Sequence, residues 1–146
     1  MNQPKLKDSL YGEMLWDDDL GCWFARVENV ADESFDILIY SESPLNFFAV
    51  KSTHQTYRRL IGDLPAIRRQ AFRELIENDK RISPKRRERK FIAETLEKEV
   101  EIFSITIYED LSSEIRYDAE IFDDEWIVVL IGANGEFLEV GITEDI

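Results

Sequence analysis

Only one cysteine, Cys22, and one histidine, His54, occur in the 146 residues. A lone cysteine excludes an internal disulfide and any site built from several thiolates; a lone histidine excludes sites that need two imidazoles. No apolar run approaches the roughly 20 residues that a membrane-spanning helix needs. Residues 1–8 are polar and carry no apolar core of a signal peptide, so they are expected to be a flexible N-terminus, and the protein is expected to be cytoplasmic. The GxGxxG, P-loop and GxSxG patterns are missing, which leaves nucleotide binding, phosphoryl transfer and α/β-hydrolase chemistry without support. No cofactor is expected.

What the chain does have is acid. Its net charge is −13, from 31 Asp and Glu against 18 Lys and Arg. Such a surface repels nucleic acid and anionic membranes and favours basic protein partners. A hydrophobic fraction of 44% and an aromatic fraction of 12% are globular values. The length fits one domain, expected over residues 9–146.

Hydrophobic period then places the elements. Tyr11 to Trp16, Cys22 to Val30 and Phe35 to Tyr40 read as strands, the first two joined through Asp17, Asp18, Asp19 and Gly21. Ser43-Pro44 reads as a helix start, with Gly62 closing that helix and Asp63 capping the next. Leu64, Ile67, Ala71, Phe72, Leu75 and Ile76 recur at helical spacing. Ser83-Pro84 would open a third helix carrying Phe91, Ile92, Leu96 and Val100. Four strands follow: Ile102 to Tyr108, Glu114 to Ala119, Trp126 to Ala133 and Glu136 to Ile142, with Asn134-Gly135 as the hairpin signal. The fold class is therefore α+β, a mainly antiparallel sheet in the order βββαααββββ with helices on one face.

Candidate chemistry is sparse. His54 has no serine or cysteine at a catalytic spacing, and Cys22 has no flanking base to lower its pKa. Both read as structural residues. Asp118, Glu120, Asp123, Asp124 and Glu125 form an acidic cluster beside Trp126. Hard cations want several oxygen ligands, so the cluster could hold one, although it lacks the spacing and central glycine of an EF-hand. The plainer reading is an acidic loop or a contact surface for a basic partner. Glu88-Arg89-Lys90 matches half of a metal-dependent nuclease core, but on a helix instead of a strand. Trp16, Trp23, Trp126, Phe47, Phe48 and Tyr117 read as core, and any of them found exposed becomes a contact candidate.

Charge is unevenly laid out. Residues 51–90 carry 13 basic and 5 acidic side chains, a net +8, leaving −21 to the remainder. In the third helix Lys85, Arg86, Arg87, Arg89 and Lys90 precede Glu94, Glu97, Glu99 and Glu101, the reverse of what the helix macrodipole favours. Either acidic strands of the same domain answer these bases, or the helix start, with Lys85, Arg86 and Arg87, meets an anion.

The stretch from Tyr11 to Phe24, Tyr-Gly-Glu-Met-Leu-Trp-Asp-Asp-Asp-Leu-Gly-Cys-Trp-Phe, resembles the start of the bacterial family called domain of unknown function 2262. The stretch from Phe91 to Ile142 is similar to its end, through an Ile-Thr-Ile strand, Tyr117-Asp118, Phe122 and the Asn134-Gly135 hairpin. The likeness spans most of the chain and is least in the helical middle. Where the family tends to show a Gly-His pair, this chain has Asp123, Asp124 and Glu125, so no role for that histidine carries over. The resemblance implies an α+β bacterial protein and no particular activity.

The sequence thus points to a non-catalytic acidic protein-binding module, immunity-like or inhibitory in one version, with a basic protein as its partner. The alternative is a metal-dependent hydrolase using the Asp118–Glu125 carboxylates. A small-anion site at the third helix start is the third reading.

Overall fold

In a computed structural model, residues 3–30, 33–78, 86–118 and 125–144 are described. The chain forms four strands, three helices and four more strands: β1 (Lys5–Asp8), β2 (Gly12–Asp17), β3 (Cys22–Val30), β4 (Glu33–Tyr40), α1 (Phe47–Ser52), α2 (His54–Asn78), α3 (Arg86–Glu99), β5 (Glu101–Ile107), β6 (Ser113–Asp118), β7 (Glu125–Ile131) and β8 (Phe137–Glu144). All eight strands join one sheet in sequence order. Every pairing is antiparallel except β4 with β5, which run parallel, Ile37 opposite Ile105 and Ile39 opposite Ile107. The α+β class holds, with three corrections to the expected elements.

First, residues 5–8 are an edge strand instead of a flexible leader. Lys5 to Asp8 pair with Leu15 to Gly12. Four residues with one apolar side chain give almost no period-2 signal, so only the pairing reveals them.

Second, Ser43-Pro44 does not open a helix. The Ser43 hydroxyl accepts the Leu45 amide (3.1 Å) and the Ser43 carbonyl accepts the Asn46 amide (3.2 Å), which makes a turn. Helix α1 starts only after Asn46.

Third, the helix boundary lies at Thr53, and α2 runs unbroken through Gly62, Asp63 and Pro65 for 25 residues. A glycine and a proline inside a helix cost about 1 and 3 kcal/mol against alanine. Tyr57, Leu60, Leu64, Ile67, Ala71, Phe72, Leu75 and Ile76 form one buried stripe on both sides of those breakers. Each buried large side chain contributes about 1.5–3 kcal/mol, so the stripe outweighs the breakers. Gly62 and Pro65 stand on the exposed side, where water can reach the Ile61 carbonyl that the proline leaves without a donor.

The core lies between the helices and one face of the sheet. One row across that face runs Trp16, Trp23, Ile39, Ile107, Ser113, Ile131 and Phe137, a continuous set of partners over seven strands. Phe72 of α2 meets Tyr117 of β6 edge-to-face at 5.3 Å, and Tyr57 meets Tyr11 at 5.0 Å. One helix therefore touches both halves of the sheet.

At one end of the seam, Arg68 answers part of the charge question. Its guanidinium donates to both Glu33 carboxylate oxygens (2.9 and 3.0 Å) and to the Val100 carbonyl (2.6 Å). It also lies over the Tyr117 ring at 5.3 Å. Glu33 Oε1 in turn accepts the Ile102 amide at 3.0 Å. This basic residue of the +8 segment thus ties α2 to β4, to the end of α3 and to β5. Both side chains are more than four-fifths buried. We expect Arg68→Ala to lower unfolding free energy by about 2–3 kcal/mol, short of the full penalty for a deeply buried pair because some water remains. Urea denaturation measures it. Arg68→Lys should recover only part, since an ammonium cannot span both carboxylate oxygens. A loss under about 0.5 kcal/mol, typical of an ordinary surface change, would mean the junction is held elsewhere.

Candidate functional site

The parallel pair creates a concavity at the carboxyl ends of its two strands. Parallel strands end side by side, and the chain must leave both at the same edge. Tyr40 ends β4 and Tyr108 follows β5, and their rings stack at 5.2 Å with planes 19° apart. Beyond them, the segment after β4, helix α1 and the β5–β6 turn enclose a cleft of about 410 Å³. Carboxyl ends of parallel strands are where open sheets commonly hold ligands.

Two hairpin turns show how this edge is built. In the β7–β8 turn the Gly132 amide donates to the Glu136 carbonyl (2.8 Å) and the Gly135 amide to the Gly132 carbonyl (2.9 Å), with Gly135 at φ 88°. The β5–β6 turn repeats the pattern: Tyr108 amide to Ser112 carbonyl and Leu111 amide to Tyr108 carbonyl, both 2.9 Å. Here the left-handed position is taken by Leu111, at φ 69°, the sole non-glycine at positive φ among the described residues. Left-handed backbone costs a residue with a Cβ roughly 1–2 kcal/mol. Leu111 lines the cleft. Such strain is retained where the surroundings require that side chain. Asp110, beside it, accepts the Ser112 hydroxyl and amide, which hold its carboxyl below the usual range.

The serine and threonine hydroxyls of the cleft donate inward, to backbone carbonyls. The Ser41 hydroxyl donates to the Ser43 carbonyl (3.0 Å), Ser52 to Ala49 (2.7 Å) and Thr53 to Val50 (2.6 Å). Their protons are spent inside the protein. Glu42 and Glu109 add carboxylates, and among the described residues no lysine, arginine or histidine lines the space. Burial pushes the Tyr108 hydroxyl up to about 12, aided by the Glu114 carboxylate, and burial raises Tyr40 as well.

His54 finds a partner that the sequence did not suggest. Its Nε2 lies 2.9 Å from both oxygens of Asp8, at the N-terminus of α2. Asp8 also accepts the amides of Leu10 and Tyr11. The nearby Tyr11 and Thr53 hydroxyls lie 2.7 Å apart. Since Thr53 gives its own proton to Val50, Tyr11 donates to Thr53 and the chain of hydroxyls ends on a backbone carbonyl. This arrangement anchors β1 to the helix layer. An aspartate three residues before Tyr11-Gly12 is an Asx-turn signal that could have flagged Asp8. Cys22 is fully buried, and burial, with Asp17 nearby, pushes its thiol up to about 11, so it stays protonated at neutral pH.

Of the acidic cluster, Glu120, Asp123 and Asp124 lie outside the described residues. Asp118 is exposed opposite Trp126, on the sheet face away from the helices; Glu125 opposes Glu144 on the other face, because successive residues alternate. The register therefore separates Asp118 from Glu125. Among the described residues no group of three His, Cys, Asp or Glu is placed to hold a metal. Lys85 lies outside the described residues. Arg86 and Arg87 open α3, and their side chains lie outside as well. No described helix is long and apolar enough to cross a membrane.

The aromatics divide. Trp16, Trp23 and Tyr117 are core, whereas Phe47 and Phe48 are exposed. Trp126 is half-buried against Phe103, with ring centroids 4.4 Å apart.

With this geometry in hand, comparison with known proteins returns no matching family model, no matching curated protein and no matching solved structure.

Two outcomes follow from this site. Leu111→Asn, which tolerates left-handed backbone, should raise unfolding free energy by up to about 1 kcal/mol in urea titrations. A loss of stability would show that packing of the leucine outweighs the strain. Tyr108 ionises at 10.0 in the unfolded chain and at about 12 in the fold. Its contribution is complete below pH 10.0 and is lost as pH rises through about 12, because the unfolded state releases its proton first. Tyr108→Phe should therefore show a shallower decline in urea midpoint over that window. An identical decline in both proteins contradicts the burial of Tyr108.

Proposed function

We propose that this chain is a non-catalytic protein-binding module whose contact surface is the sheet edge around α1. One observation carries the reading. Leu45 and Phe48 are 82% and 81% exposed, and Phe47 lies beside them at 48%. Glu42 precedes them in the chain, and Glu42 and Glu109 line the same cleft as Phe48. The β2–β3 turn, with Asp17, Asp18, Asp19 and the exposed Leu20, joins the same edge where the Ser41 amide donates to the Gly21 carbonyl (3.4 Å). Isolated exposed apolar residues are ordinary; a clustered group of large ones rimmed by charge of one sign is an interaction surface.

The chemistry of the partner follows from that rim. Apolar anchors supply affinity once desolvated, and a ring of carboxylates speeds encounter with a basic surface and rejects acidic ones. The overall charge of −13 acts in the same direction. A basic protein inhibited or neutralised by this module, as in an immunity-like role, is the concrete form of the proposal. The resemblance to domain of unknown function 2262 adds no substrate to it. His54 supports the non-catalytic reading: its described hydrogen bonds go to Asp8, and the hydroxyls beside it are directed at each other and at a backbone carbonyl.

The test is a paired capture. Wild-type protein and Leu45→Glu/Phe48→Glu protein are used as baits in native extract, at low and high salt. A basic protein should be enriched on the wild type, lost on the double variant and weakened by salt. Each anchor truncation should cost at least about 1 kcal/mol of binding. Equal capture by both baits would overturn the assignment of this surface.

A further inference from the structure

The cleft beside these anchors has a chemical polarity that specifies what enters it. We propose that it receives the cationic end of an arginine or lysine side chain, supplied by the basic partner. The inference rests on the docking proposal for the source of the cation, and on the cleft alone for its chemistry.

Three features converge. The first is hydrogen-bond direction. Ser41 and Ser52 have already donated their protons to backbone carbonyls, and Ser41 also accepts the Ser43 amide (3.4 Å), so what these two hydroxyls have left for the cleft is acceptor capacity. A group rich in N–H donors finds these acceptors and the two carboxylates together. The second is charge. Glu42 and Glu109 line the space, and among the described residues no cationic side chain does. Two bases of the basic segment are held elsewhere: Arg68 on Glu33 at the far end of β4 and β5, and Arg59 on the Ala133 carbonyl (3.1 Å). The third is π surface. Tyr40, Tyr108 and Phe48 contribute aromatic rings, whose faces attract guanidinium and ammonium groups. A cleft of about 410 Å³ admits such a side chain, and one of the exposed anchors, Phe48, lines it.

Leu111 fits this picture. The turn that carries Glu109 towards the cleft holds its fourth residue in the left-handed region, where the equivalent β7–β8 turn uses glycine. A leucine there keeps apolar surface in the cleft wall beside the aromatic rings, matching the methylene stem of an arginine or lysine.

The probe is agmatine, a guanidinium on a short chain, with butylurea as its uncharged counterpart. Amide chemical shifts are followed by NMR in the free protein. Agmatine should give saturable shifts at Ser41, Glu109, Leu111 and Ser112, with a dissociation constant on the order of millimolar. Butylurea should give none. Glu42→Gln/Glu109→Gln should weaken agmatine by at least about tenfold, and added salt should weaken it further. Non-saturable shifts, equal binding of butylurea, or an unchanged constant in the double variant would each overturn the site. A second arm adds agmatine to the captured complex. Displacement of the partner supports the side-chain source. Agmatine that binds without displacing it overturns that source and assigns the cleft to a free amine. The titration needs no partner, so its failure leaves the docking surface standing. Conversely, equal capture by the wild-type and Leu45→Glu/Phe48→Glu baits would remove the docking proposal and leave agmatine binding intact.

Discussion

A parallel strand pair cannot be closed by a turn. Between the end of β4 and the start of β5 the chain must travel back along the whole sheet, and here it does so through three helices. That return path is the constraint from which the remaining architecture follows. It places α2 across both halves of the sheet, with Tyr57 against Tyr11 in the first half and Phe72 against Tyr117 in the second. Two sets of hairpins that could each form locally are thereby merged over a shared core. The same constraint leaves one sheet face to the helices and sets the ends of β4 and β5 side by side, which is where the cleft arises.

The energetic logic is a contest between local and tertiary preference. Gly62 and Pro65 argue for a break, and in an isolated peptide they would prevail. The apolar stripe from Tyr57 to Ile76 runs past both, and burial against the sheet decides the outcome. The opposite balance holds at Leu111, where an unfavourable backbone conformation persists in a turn whose sibling uses glycine. One position shows packing overriding propensity; the other shows a turn retaining strain next to the proposed binding cleft.

Much of the fold was legible from period. Strands such as Phe35 to Tyr40 and Trp126 to Ile131 announce themselves as short, mostly apolar runs of the length that buried strands have. The edge strand Lys5–Asp8 was not legible, since a polar edge buries too little to leave a pattern. The candidate site was legible only as ingredients. Phe47, Phe48 and the acid of Asp17–Asp19 could be picked out, but not their proximity. Tyr40 and Tyr108 meet through the parallel pairing, and Asp8 meets His54 through the anchoring of β1; both are tertiary facts with no local spacing. The acidic residues around Trp126 illustrate the converse. Asp118 and Glu125 look like neighbours in sequence, and strand alternation sends them to opposite faces.

Native-state hydrogen exchange at the seam tests the shared core most directly. If the helical crossover merges the two halves, the amides of Ile37, Ile39, Ile105 and Ile107 should exchange only through global unfolding, with the same denaturant dependence as the buried stripe of α2. Exchange of β1–β4 through an opening that leaves β5–β8 protected, or the reverse, would show two independent halves and contradict the account.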